Sequence, residues 1–139
     1  MSTQSKHCPE ISEVMMTADQ FPVVRERDIL KSALDEMDRK KLGVACVVDA
    51  DQRLLGLLTD GDLRRKLLTV QKPLSALFLD DVIEHSIRRP VTILVDETLI
   101  EGLEKMEANE IWDLPVVSST GRLMGLLHLH PVVRALVKV

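Results

Sequence analysis

Aromatic side chains are nearly missing from this chain of 139 residues, which has two Phe, one Trp and no Tyr. Single-stranded nucleic acids are held by stacking bases on rings, and the sequence has no such platform to offer. Positive charge is not in excess either. With 18 Lys and Arg against 22 Asp and Glu, the net charge is −4 and the isoelectric point about 5.5, so nothing favours a nucleic-acid backbone or an anionic membrane. The two cysteines lie far apart, Cys8 in a polar stretch and Cys46 inside an apolar run. That usage suits a reduced compartment better than a disulfide framework and makes Cys46 a small core residue. No apolar stretch approaches the ~20 residues of a membrane helix, and residues 1–7 contain no apolar signal core. The expectation is a cytoplasmic protein with neither membrane nor nucleic acid as partner.

What the chain does have is a repeat. Arg53-Leu54-Leu55-Gly56-Leu57-Leu58 returns as Arg122-Leu123-Met124-Gly125-Leu126-Leu127, 69 residues on. The same offset carries Leu30 onto Leu99, Leu34 onto Leu103, Met37 onto Met106, Val47-Val48 onto Val116-Val117 and Arg65 onto Arg134. A repeated unit usually cannot bury its apolar face alone and packs on its neighbour. Two copies imply a pseudo-symmetric pair rather than a solenoid.

Each copy reads in one order. A short extended piece around Pro22-Val23-Val24, or Val91-Thr92-Ile93-Leu94, precedes a helix whose apolar positions Leu30, Ala33, Leu34 and Met37 recur at helical spacing, with Asp28 as its expected N-cap. Two apolar runs at 44–48 and 54–58, and at 114–117 and 123–127, are divided by turn residues and read as strands. Closing helices are expected at 62–70 and 131–137. The fold class is therefore α/β, two β-α-β-β-α units related by pseudo-two-fold symmetry and packed as one module. Its expected parts are a leader at 1–13, unit one at 14–70, a linker at 71–82 and unit two at 83–139. Leu67, Leu68, Val132, Val133, Leu136 and Val137 give the closing helices more apolar surface than a small core covers, which predicts a homodimer.

Gly56-Leu57-Leu58-Thr59-Asp60-Gly61-Asp62-Leu63-Arg64-Arg65 resembles the closing signature of a CBS domain, and Leu114-Pro115-Val116-Val117 and Val14-Met15-Met16 are similar to that family's strand and opening motifs. Two such domains in tandem form a Bateman module. The first-copy signature, with His128-Leu129-His130 in the second, looks more closely like the C-terminal CBS pair of bacterial arabinose 5-phosphate isomerases, whose catalytic domain is absent from this chain. The resemblance implies a regulatory module for an adenine nucleotide (AMP, ADP or ATP) or S-adenosylmethionine. The closer likeness implies a nucleotide sugar such as CMP-Kdo, with a fused or partner enzyme. It also implies that the base lies against Val23, Gly43, Val44 and Ala45.

The residues themselves allow a phosphorylated ribose. A helix N-terminus attracts phosphate, and a carboxylate such as Asp62 can accept from two vicinal hydroxyls. Thr59 stands beside it, Gly61 leaves the turn open, and Arg64 and Arg65 are cations in a first turn that an anion would relieve. The same residues also fit a plain reading, with a cap, a strand end and a solvated arginine face. In the second copy Thr59 is replaced by His128 and Asp62 by Pro131, so a ligand there would need His128, His130 and Arg134, or the site is empty. The two histidines, alternating on a strand, are too few for a metal. Trp112, opposite Gly43 in the repeat, offers a ring on which a base could stack, but its main expected role is to fill core or interface space. No catalytic constellation is present. The competing class is an interaction module whose ligand site has decayed.

Overall fold

The computed structural model describes residues 8–138, so residues 1–7 of the expected leader lie outside it. In chain order the elements are α1 (Ile11–Val14), β1 (Val23–Arg25), α2 (Leu30–Lys40), β2 (Val44–Val48), β3 (Leu54–Thr59), α3 (Asp60–Thr69) and α4 (Leu74–Leu77). A 3-10 turn (Val82–His85), β4 (Ile87–Arg88), β5 (Ile93–Leu94), α5 (Leu99–Asn109), β6 (Asp113–Val117), β7 (Leu123–His128) and α6 (Leu129–Val137) follow. The β-α-β-β-α order appears twice. In each unit the first strand runs parallel to the second and the second pairs antiparallel with the third, with a register shift at Val47/Val48 repeated at Val116/Val117. Both long helices end on a left-handed residue, Lys41 and Glu110, whose amide returns to the last turn. Asp28 does not cap α2. Ile29 holds that place, and the Asp28 carboxylate instead accepts from the Arg25 amide at 2.8 Å.

A pseudo-two-fold axis relates the units. The Leu54 amide donates to the Gly121 carbonyl at 3.0 Å, and the Leu123 amide to the Gln52 carbonyl at 2.9 Å, each bond being the other's image under the repeat. Between the two sheets lies an apolar layer of Phe21, Val44, Cys46, Leu57 and Leu126. The opposite face of each sheet is covered by its own helices, with Ala45, Val47 and Leu58 in one unit and Leu114, Val116 and Leu127 in the other.

The segments expected to be leader and linker are part of these cores, and they cross over. Ile11 of α1 is fully buried among Ile93, Leu99 and Leu127 of the second unit, while Leu77 and Val82 of the stretch 71–82 are buried in the first. Met16 bonds both ways with Leu126, and β4 pairs with Gly56 and Leu57 of β3. Each unit therefore receives an edge from the half of the chain that belongs to the other. The repeated glycines make room for this. A Cβ on Gly125 would lie 2.6 Å from the Met16 carbonyl, and one on Gly56 would lie 3.1 Å from the Ile87 carbonyl.

The apolar surplus on the closing helices is smaller than expected. Val132 is fully buried and Leu136 packs on the core, whereas Leu67, Leu68, Val133 and Val137 remain exposed. Burial pushes the Cys46 thiol far above its usual range. Cys8 should react with a thiol reagent in the folded protein and Cys46 only after unfolding, which absorbance of the released thiolate would follow. Ile11→Ala should destabilise the fold by about 2–4 kcal/mol in a denaturant titration although it lies near the chain start, and Gly125→Ala should also destabilise it, because backbone must move.

Candidate functional site

Strand β3 ends at Thr59 because helix α3 begins there. Thr59 is the N-cap, its hydroxyl oxygen accepting from the Asp62 amide at 3.1 Å, and the hydroxyl donates to Asp62 Oδ2 at 2.6 Å. Helix α3 thus starts at Asp60, two residues before the expected Asp62. Asp62 Oδ1 accepts from Arg65 Nη2, one helical turn on. Burial alone would raise the Asp62 carboxyl, but the Thr59 and Arg65 hydrogen bonds and the Arg65 charge outweigh it and hold the group below the ordinary aspartate range.

This turn forms one wall of a cleft of about 920 Å³ that lies between the two units. Thr59, Gly61, Asp62, Arg64 and Arg65 come from the first unit, and two stretches of the second unit, around Arg89 to Val91 and Asn109 to Asp113, face them. The cleft is apolar along Leu57, Ile87, Val91, Ile111 and Trp112 and charged elsewhere. Arg64 and Arg89 line it with no ion-pair partner among the described residues, and Arg89 holds a left-handed backbone, φ 58°. A left-handed backbone at a non-glycine residue costs on the order of 1 kcal/mol and clusters at binding sites. Sequence reasoning missed Arg89.

The four residues expected to hold a base do not reach this cleft. Val44 and Ala45 are buried on β2, the middle strand of its sheet, with one face in the inter-sheet layer and the other against helices. Neither has surface to offer a ligand. Val23 packs half-buried on the same inter-sheet layer, and Gly43 opens onto a separate groove shared with Asp60. The images of two of them under the repeat line the cleft instead. Residue 43 maps onto Trp112 and 44 onto Asp113, and because the units interlock, the Thr59–Asp62 turn faces the other copy's strand start. Trp112 is 63% exposed and so does not fill the core.

In the second copy His128 ends β7, and its Nδ1 lies 2.8 Å from Asp113 Oδ1. His130 is not on the strand but in the first turn of α6, its ring centroid 5.5 Å from that of His128. Pro131 stands third in the helix rather than first, still within the turn where a missing N–H costs nothing. Arg134 is exposed in a different groove with Pro9, Val14 and Pro131. The group of possible metal ligands that comes together among the described residues is Asp80, Glu84 and His85, and there the Lys72 ammonium already bonds both Asp80 oxygens at 2.7 and 2.8 Å. No helix among the described residues is long and apolar enough to cross a membrane.

The CBS domain family profile matches residues 11–69 and 80–138. The chain belongs to the CBS domain family and is a tandem pair of such domains. It is 34% identical over 125 residues to arabinose 5-phosphate isomerase KdsD of Yersinia pestis, matching 90% of this chain and 37% of that protein. The chain thus spans little more than a third of the length of that relative. Among solved structures it is similar to CBSX2 in complex with AMP, at 25% identity and a TM-score of 0.80 over 93% of this chain and 96% of that one. It also shares the fold of the CBS domain pair of protein MJ0100 in complex with 5-methylthioadenosine and S-adenosyl-L-methionine, at 17% identity and a TM-score of 0.77 over 94% and 97% of the two chains.

A depressed carboxyl contributes stability that is present above its unfolded value and lost as pH falls through the folded one. Between about pH 5 and pH 3 the wild type should therefore lose more stability than Asp62→Asn, whose amide does not titrate, in denaturant titrations run in parallel.

Proposed function

We propose that the chain is a regulatory module that binds a nucleotide in the cleft between its units and has no catalysis of its own. The ribose hydroxyls bond Asp62, the phosphate sits by Thr59 and the arginines, and the base rests on the Ile111 and Trp112 side. The observation that supports this reading is that one cleft holds a ribose acceptor, two guanidinium groups with no ion-pair partner among the described residues and an apolar wall with an exposed Trp, contributed by both units. A ligand there touches both halves and changes how they pack, which is the signal passed to a fused or partner enzyme. The likeness to CBSX2 in complex with AMP favours an adenine nucleotide. The likeness to the isomerase favours the alternative, a nucleotide sugar such as CMP-Kdo sensed for a sugar-phosphate isomerase.

The module works as a homodimer, with the exposed Leu67 and Leu68 of α3 and Val133 and Val137 of α6 at the contact. Sedimentation at tens of micromolar, on the order of a weak interface's dissociation constant, should return a dimer, and a monomer there contradicts the assembly.

A ligand at ~100 times its dissociation constant should stabilise the protein by roughly 2.7 kcal/mol and raise the melting temperature by several degrees. AMP, ATP, S-adenosylmethionine and CMP-Kdo are the panel. Asp62→Ala should remove most of the shift, since an unmade hydrogen bond to a charged group costs roughly 1.5–3 kcal/mol. If nothing in the panel shifts the wild type, the interaction-module reading takes its place.

A further inference from the structure

We propose that Arg65 is the residue that makes the cleft select nucleotides over nucleosides, by competing with the ribose for Asp62. This rests on the reading of the cleft as a nucleotide site.

The carboxylate expected to receive the ribose is already engaged on both oxygens. Thr59 donates to Oδ2 at 2.6 Å from the strand side, and Arg65 donates to Oδ1 from the helix side. The Asp62 side chain is only 22% exposed, whereas that of Arg65 is 65% exposed. Arg65 is therefore the partner that can leave. Its guanidinium lies across Gly61, within 3.6 Å of where a Cβ would stand, and so covers the first turn of α3 where an incoming group would approach the amides. A vicinal diol that takes the exposed side of Asp62 must move Arg65 away.

A displaced Arg65 then needs a counter-charge. The cations around it, Arg64 and Arg89, have no ion-pair partners among the described residues, and of the other carboxylates lining the cleft Asp113 is held by His128, which leaves Glu110. A ligand carrying its own phosphate supplies the charge in the same molecule. It exchanges one ion pair for another, while a nucleoside breaks the pair and leaves three guanidinium groups to share Glu110, the one remaining carboxylate among the described residues of the cleft. The second copy has no such device. Arg134 occupies the position of Arg65, but Pro131 stands where Asp62 does, so nothing there is held back.

The consequence is opposite signs for two ligands in one variant. In Arg65→Gln, on an exposed helix position where Gln is well tolerated, adenosine should bind roughly three-fold more tightly, because a partly exposed ion pair no longer has to be opened. AMP should bind roughly ten-fold more weakly, having lost a charged donor. Calorimetry with AMP and adenosine on both proteins reads the two constants directly. Raising the salt concentration should likewise strengthen adenosine binding to the wild type, by screening the Arg65–Asp62 pair, and weaken AMP binding. If Arg65→Gln weakens both ligands equally, or leaves the AMP-to-adenosine ratio unchanged, Arg65 is not the discriminator although the cleft is a nucleotide site. If the wild type binds neither, both this assignment and the adenine-nucleotide reading fall.

Discussion

Everything in this structure depends on an exchange of edges. The short helix α1 and Met16 complete the second unit, and the 3-10 turn Val82–His85 with β4 completes the first. Neither core is closed by its own half of the chain, since removing Ile11 opens one and removing Val82 opens the other. A unit this small buries too little apolar surface to stand alone. Borrowing an edge from its neighbour solves that problem for both at once, and the crossing is close enough that a Cβ on Gly125 would collide with the Met16 carbonyl and one on Gly56 would crowd the Ile87 carbonyl.

The same exchange makes the cleft. The segment that follows β4 and leads to β5 lines this cleft, so that Arg89, Pro90 and Val91 share it with the Thr59–Asp62 turn. Pseudo-symmetry would create an equivalent turn in the other unit, but the chemistry has diverged there. Thr59 corresponds to His128, Asp62 to Pro131 and Trp112 to Gly43, so only the first copy combines a carboxylate with an exposed ring on the facing wall. The His128–Asp113 contact ties the second unit's own hairpin together and, because Asp113 lines the first cleft, joins the wall of one site to the diverged residue of the other.

The strands, the two long helices and the tandem organisation were legible because they carry strong signals: an ungapped repeat, apolar runs broken by turn residues, and Leu30, Ala33 and Met37 at helical spacing. The exchange was not legible. Elements of four residues such as α1 and the 3-10 turn show no periodicity, and they stand 71 rather than 69 residues apart, so the repeat loses register where the crossing occurs. The chemistry of Thr59, Asp62, Arg64 and Arg65 fits a phosphorylated ribose as well as a plain cap and solvated face, the family likeness favours the ligand, and the structure brings the four into one cleft. Val44 and Ala45 were placed by family likeness within a single copy, which ignores that the facing wall comes from the other half. The repeat offset itself leads from Gly43 to Trp112, but in sequence a lone Trp fits core or interface space as well as a stacked base, and only its 63% exposure separates it from the core.

If neither unit closes without the other's edge, the module has one unfolding transition and not two. Native-state hydrogen exchange of the amides in β3 and β7 across a denaturant series measures this directly, since it reports the opening free energy of each sheet separately. Interlocked units predict that the slowest amides of the two strands converge on one opening free energy with the same denaturant dependence. Slowest amides in the two sheets that open at free energies several kcal/mol apart, each with the smaller dependence expected of half the surface, would contradict the account.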